Sequence, residues 1–357
     1  MTDQQLVEFL QALVRTPSLS KEEDQAADLV EALLAEHGVK TERIGNNVIA
    51  RHGSGKPSIW LNSHIDTVDV APGYTFDPHS GEIVDGKILG LGSNDAKGSV
   101  AALTAAFLRF RAEHPHFDQG EVILIASCEE EIGGEGVKRM RRELPTPSAA
   151  IIGEPNHMKP ANCCKGVVLA EFTVTGESAH VSRPWQGRNA LRLASPLITD
   201  IVADHQLAED PTLGPAAHEP TLIQGGHQKN ALPAEVKIFL DCRTTPTFDN
   251  EAMKAHLQSI AARHPECTLE ILKDQVTPTR TNPDGRLVQA ACRVAGLDAP
   301  NPFVGVCDFV YMSGIDAVIM GPGAPERSHK ADEFLMVDEL VEGAKLYQAV
   351  LNRYFFS

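Results

Sequence analysis

The chain has 357 residues, 42% hydrophobic and 22% charged, which is length enough for one or two globular domains with a sizeable core. Its formal charge of −16 argues against a nucleic-acid partner, and the densest basic run, at 138–142, meets Glu143 at once and reads as a solvated helix face. Seven cysteines without a C-x-x-C pair, a polar N-terminus and no apolar run of membrane-spanning length argue against a disulfide framework, a thiolate zinc site, a signal peptide and a membrane partner, so a cytoplasmic protein is expected.

Along the chain, Leu6, Phe9, Leu10, Leu13 and Val14 recur at helical spacing. Ser20 and Glu23 read as a capping box for a second helix, with Ala26, Leu29, Val30, Leu33 and Leu34 on its buried side and Gly38 at its end. Residues 47–50 and 58–62 read as strands, 97–112 as an Ala-rich helix, 121–126 as a buried strand, 135–143 as a helix and 149–152 as a strand. Such alternation predicts an α/β fold with a mainly parallel sheet. From 166 to 273 the texture changes. Strands are expected at 167–174 and 235–242 and helices at 188–205 and 250–264, which suggests a smaller α+β domain inserted into the first. A helix at 286–295, a strand at 317–320 and a helix at 337–354 then return to the larger domain, giving the division 1–165, 166–273 and 274–357.

Candidate ligands fall at the expected strand exits, where open α/β sheets gather their chemistry. His64 and Asp66, in SHID at 63–66, lie two apart on an extended backbone and share a face. His64 can be a metal ligand steadied by Asp66, or a surface histidine beside a turn aspartate. Asp95, in NDAKG at 94–98, can bridge two metals or cap the helix it precedes. In the run at 129–131, three adjacent carboxylates repel one another unless cations are present. One can bind metal while its neighbour serves as base; the alternative is an acidic loop. Glu154 before Pro155 can be a ligand or a plain turn, and His329, flanked by Arg327 and Lys330, a ligand or a surface histidine. Together they provide two imidazoles, three carboxylates and a spare base, the inventory of a binuclear hydrolytic site.

These segments recur in the order of a known family. SHID, NDAKG, EEEIGG at 129–134, GEP at 153–155, GESAHVSRP at 176–184, GRNA at 187–190, GGHQKNALP at 225–233, DCR at 241–243 and HKADEF at 329–334 make the chain resemble the M20 metallopeptidases along essentially its whole length. That family includes acetylornithine deacetylase, succinyl-diaminopimelate desuccinylase and glutamate carboxypeptidase-like enzymes. The resemblance implies two Zn²⁺ ions, with Co²⁺ as a possible substitute. One would be held by His64, Asp95 and Glu154, the other by Asp95, Glu131 and His329. Glu130 would be the general base and Asp66 the orienter of His64. The inserted domain would be a lid through which two copies dimerise, delivering His180 to the neighbouring subunit's site; read by itself, His180 can equally be a histidine of the lid core.

Asn230, Arg243 and Lys165 are candidates for gripping a substrate carboxylate, which a guanidinium binds in bidentate fashion. Their alternatives are a turn, a surface ion pair and a surface charge. The chain departs from common family forms at Cys307-Asp308 and at Asn94-Asp95-Ala96-Lys97. With Leu91-Gly92-Ser93 these departures look closer to an acetylornithine deacetylase-like branch. The expected reaction is removal of a small acyl group from an N-acyl-amino acid, N-acetylornithine first. A desuccinylase, another N-acyl-lysine or N-acyl-citrulline deacylase, or a dipeptidase are the alternatives, and a catalytically dead metal-binding protein is the reading from a different class.

Overall fold

The computed structural model describes residues 1–203 and 207–356, which divide into two compact units. The first comprises Met1–Cys163, Thr281–Phe303 and Cys307–Ser357; the second comprises Cys164–Arg280 with Val304–Val306, running past the boundary expected at 273.

In the first unit the strands Glu121–Ser127, Ser58–His64, Ala149–Ile152 and Asp316–Ile319 lie side by side in that order, each pair parallel. Antiparallel strands flank them: Asn47–Gly53, then Thr41–Ile44, on one side and Ala161–Cys164 on the other. Central strands of this kind are buried on both faces and read as near-continuous apolar runs. Ile59 and Leu61 point to one face, with Val122, Leu124, Ile151 and Val318. Trp60, Ile123, Ile125 and Ile152 point to the other and are equally buried. The first face packs against the helices Asp3–Arg15, Asp24–Glu36, Lys97–Glu113, Arg286–Val294 and Val337–Phe356, all joined in one apolar cluster.

Asp3–Arg15 opens with a capping box, Thr2 taking the Gln5 N–H and the Gln5 side chain the Thr2 N–H. The box expected at Ser20 and Glu23 does not form. Glu23 occupies the cap position of Asp24–Glu36 but makes no capping bond, and Ser20 donates instead to Asp66 Oδ2 at 2.7 Å. Both side chains find stronger demand across the fold, from the turn at 129–131 and from a buried carboxylate.

The second unit holds a four-stranded antiparallel sheet, ordered Ala217–Gly225, Glu235–Thr244, Gly166–Thr175, Cys267–Val276, with the helices Ala190–Ala203 and Asn250–Ala261 on its apolar face. Two of these strands were not expected from the sequence. Both are sheet edges, and half-exposed edges carry a weaker apolar signal. Of the helix expected at 188–205, residues 204–205 lie outside the described residues. The helix at 250–264 is shorter than expected, ending at Ala261.

Candidate metal centre

The parallel strands aim their carboxyl ends at one spot in the first unit. His64 is the last residue of Ser58–His64 and is buried. Its Nδ1 lies 2.9 Å from the Asp66 carbonyl oxygen, so the ring proton goes there and Nε2 keeps a free lone pair. The Asp66 carboxylate stands farther off, with Oδ1 3.5 Å from Nδ1. Its oxygens are committed elsewhere: Oδ1 accepts the Glu130 N–H and Oδ2 the Glu131 N–H, each at 3.1 Å, and Oδ2 also takes the Ser20 hydroxyl. The orienting of His64 expected of this side chain thus falls mainly to its own carbonyl, and the carboxylate holds the acidic turn.

Asp95 does not cap the helix Lys97–Glu113, whose cap residue is Ala96. It lies between the two histidines, Oδ1 3.3 Å from His64 Nε2 and Oδ2 3.6 Å from His329 Nε2. Glu154 follows the strand Ala149–Ile152 and brings Oε1 to 3.9 Å from His64 Nε2. Glu131 Oε2 is 3.1 Å from His329 Nε2. Donor atoms of His64, Asp95 and Glu131 fall within 4.8 Å of one another.

These spacings suit divalent metals. Donors at about 2.0–2.2 Å from a tetrahedral zinc stand roughly 3.3–3.6 Å apart, close to the 3.1–3.9 Å between each imidazole and its carboxylates. Asp95 offers one oxygen to each side. His64, Asp95 and Glu154 would hold one ion, and Asp95, Glu131 and His329 the other.

The charge pattern agrees. Burial pushes the Glu130 and Glu154 carboxyls well above the usual carboxylate range, and neighbouring negative charges, Glu154 and Asp308 on Glu130 and Asp95 and Asp308 on Glu154, push the same way. Burial alone would lower the His64 imidazole, but Asp66, Asp95, Glu154 and Glu130 raise it well above its ordinary value. The hydrogen bond to Glu131 raises His329 to about 9. So many acidic groups around two imidazoles are the surroundings a dication satisfies.

Residues outside the expected set build the frame. The Asn94 side chain donates to the Ala324 carbonyl and the Ser328 hydroxyl and accepts the Ala324 N–H, tying the His329 loop to Asp95. Buried Glu333 takes the N–H groups of both Asn94 and Asp95 at 2.9 Å. Buried Asp308 accepts Asn62 Nδ2 at 3.0 Å, one strand position below His64 on its own face. Gly134 sits at φ +72°, and a Cβ there would come within 2.5 Å of the Tyr311 ring and 2.8 Å of Asp308 Oδ1, so only glycine lets the acidic turn pass into the helix Glu135–Glu143. Asn94, Asp308 and Glu333 stand inside or beside motifs visible in the sequence; Ser20 and Glu23 signalled only a helix cap.

Four expected site residues belong to the second unit. His180 is exposed, so it is not a core histidine; its Nδ1 accepts the Ser182 N–H at 3.2 Å, which leaves the ring proton on Nε2. Arg243 is engaged with Asp241 through Nε and Nη2, the ion pair that was its alternative. Lys165 donates to the Pro215 carbonyl at 3.0 Å. Asn230 is exposed, its carbonyl accepting the Val181 N–H.

Known proteins share the sequence pattern and the fold. The model of peptidase family M20/M25/M40 matches residues 60–353. A succinyl-diaminopimelate desuccinylase of Xanthomonas euvesicatoria is 30% identical, covering 92% of this chain and 93% of its own. A probable succinyl-diaminopimelate desuccinylase of Staphylococcus epidermidis is 24% identical over 99% and 98%. Among solved structures, the aminopeptidase PepT of Bacillus cereus shares the fold at a TM-score of 0.80 and 22% identity, covering 99% of both chains. The Bacillus subtilis protein YXEP, a dinuclear metal-binding peptidase, does so at a TM-score of 0.73 and 18% identity, again over 99% of both.

Proposed function

We infer the reaction from one premise: the chain belongs to peptidase family M20/M25/M40 and is a metal-dependent amide hydrolase. The reading proposed is removal of the acyl group from an N-acyl-amino acid at two zinc ions, with cobalt able to replace them. The single observation that carries it is Asp95 between His64 and His329, with Glu130 in the same turn as Glu131 and left over from the ligand set.

Bound divalent metals supply Lewis acidity to the scissile carbonyl and acidify the attacking water. Glu130 would take a proton from the attacking water and pass it to the departing amine nitrogen. Asp66 holds the backbone of Glu130 and Glu131 in place through their N–H groups. In a homodimer built through the second unit, His180 would offer Nε2–H to the carbonyl oxygen in the neighbouring subunit's site. Exposed Leu222 and Ile223 on the edge strand Ala217–Gly225 support such an assembly.

For the substrate, the names of the curated relatives move N-succinyl-diaminopimelate ahead of N-acetylornithine, the first expectation from sequence. A succinyl group adds a carboxylate, for which Lys165, Arg243 and Asn230 remain the candidate partners. The test is a panel of both compounds, an N-acyl-lysine, N-acetylcitrulline and a dipeptide, assayed with zinc, with cobalt and with chelator. Chelator-sensitive cleavage of N-succinyl-diaminopimelate above the others is expected, and Glu130→Gln should abolish it while retaining metal. Preference for N-acetylornithine would reverse the substrate order, and near-normal turnover by the Glu130→Gln variant would refute the role of the base.

A further inference from the structure

We propose that Glu23, assisted by Ser20, is a positioning residue of the hydrolytic site that grips the backbone of the acidic turn. Glu23 is fully buried, with no exposed surface. A carboxylate in that setting is costly unless its oxygens are used, and they are used on functional backbone. Oε1 accepts the Glu129 N–H at 3.1 Å and the Lys21 N–H at 2.8 Å, and Oε2 accepts Asn46 Nδ2 at 3.0 Å. Asp66 takes the next two N–H groups, those of Glu130 and Glu131. Three successive amides of the turn therefore donate to carboxylate oxygens from two separate segments. Glu129 itself stands at φ +56°, a left-handed conformation that a non-glycine residue keeps only when its surroundings hold it.

The segment bearing Glu23 is also fastened to the loop after His64. The Ser18 hydroxyl donates to the Ile65 carbonyl at 2.7 Å, the Ser18 carbonyl accepts the Thr67 N–H at 2.9 Å, and the Ser20 hydroxyl donates to Asp66. One stretch, Ser18 to Glu23, thus sets the distance between the loop that follows one metal ligand and the turn that carries the base and another ligand. Charge-assisted bonds of this kind are the stronger class. A residue in this role acts on the reacting geometry without touching substrate.

The proposal rests on the reading of Glu130 as base and Glu131 as ligand. The test uses the full chain with Glu23→Ala, Glu23→Gln and Ser20→Ala, measuring kcat and KM, metal uptake against a competing chelator, and the unfolding midpoint. Glu23→Ala should lower kcat at least about tenfold, since a buried N–H loses its acceptor, with KM within about twofold and the second metal equivalent bound more weakly. Glu23→Gln keeps an acceptor oxygen for the Glu129 and Lys21 N–H groups and gives up the bond from Asn46, whose Oδ1 is held by Arg43, and should restore most of the loss. Ser20→Ala should show a smaller fall in kcat. The proposal is overturned if Glu23→Ala keeps wild-type kcat and metal affinity whatever its midpoint. It is also overturned if kcat per folded molecule is unchanged, or if Glu23→Gln is as impaired as Glu23→Ala. If wild-type protein cleaves no N-acyl-amino acid, the functional reading fails, and the metal-uptake measurements still decide the role of Glu23.

Discussion

Replacing Asp66 by Asn tests whether the acidic turn depends on its backbone grip. The Asp66 carboxylate has no exposed surface and accepts three hydrogen bonds, from the Glu130 N–H, the Glu131 N–H and the Ser20 hydroxyl. Burial alone would raise its pKa, but the His64 and Ser20 side chains and the Glu131 N–H hold it below the ordinary value, so it accepts as the anion. Asparagine keeps one accepting oxygen. In its better orientation the amide serves Ser20 and Glu131 and turns NH₂ toward the Glu130 N–H, so one bond to a charged acceptor is lost. Such a bond contributes about 1.5–3 kcal/mol. If the loss falls on the position of the base in the transition state, kcat/KM should drop about 10- to 150-fold, at about 1.4 kcal/mol per factor of ten. The assay is steady-state cleavage of whichever N-acyl-amino acid the wild type prefers, beside the metal content of each protein. A variant carrying both metals and working within about threefold of wild type would show that the turn holds itself, and the reasoning from these distances would be wrong.

Two further outcomes are expected. Asp210, buried in the second unit, would be raised by burial, but the Leu213 and Thr212 N–H groups, the Thr247 hydroxyl and Arg280 hold it down to about 2. A depressed carboxyl stabilises the fold above its unfolded pKa, about 3.9, and that stability is lost as pH falls through about 2. Asp210→Asn should therefore cost about 2 kcal/mol in denaturant unfolding near neutral pH, with the gap from wild type narrowing below about pH 4; a gap independent of pH would contradict this. Light scattering of the intact chain at micromolar concentration should give a dimer, and Leu222→Lys with Ile223→Lys should give a monomer. A monomeric wild type would remove His180 from the mechanism.

The elements legible in the sequence were those buried on at least one full face. Ile59, Leu61, Val122, Leu124 and Ile151 announce strands because the sheet hides both their sides, and helix periodicity did the same for Leu6 to Val14. The edge strands Ala217–Gly225 and Cys267–Val276 escaped because solvent asks nothing apolar of their outer faces. The candidate metal ligands were legible chiefly through the resemblance of their motifs to a family, since by residue type each kept an ordinary alternative as a cap, a turn or a surface group. What supports them was not. Ser20 and Glu23 have the spacing of a capping box, and only a fold that brings Asp66 and Glu129 beside them diverts them from it. Asn94 lies inside a recognised motif, yet its hold on Ala324 and Ser328 crosses more of the chain than local pattern can register.

The order of strands bears on how the chain emerges from the ribosome. Ala149–Ile152 pairs on one side with Ser58–His64 and on the other with Asp316–Ile319, which is translated only after the whole second unit. Until then the nascent first unit carries an apolar strand with one row of backbone donors and acceptors open. Unprotected edges of this kind recruit other strands. Chains stalled or truncated within 164–280 should therefore collect in aggregates or on chaperones, and the last segment of the sheet acts as the seal on its own synthesis.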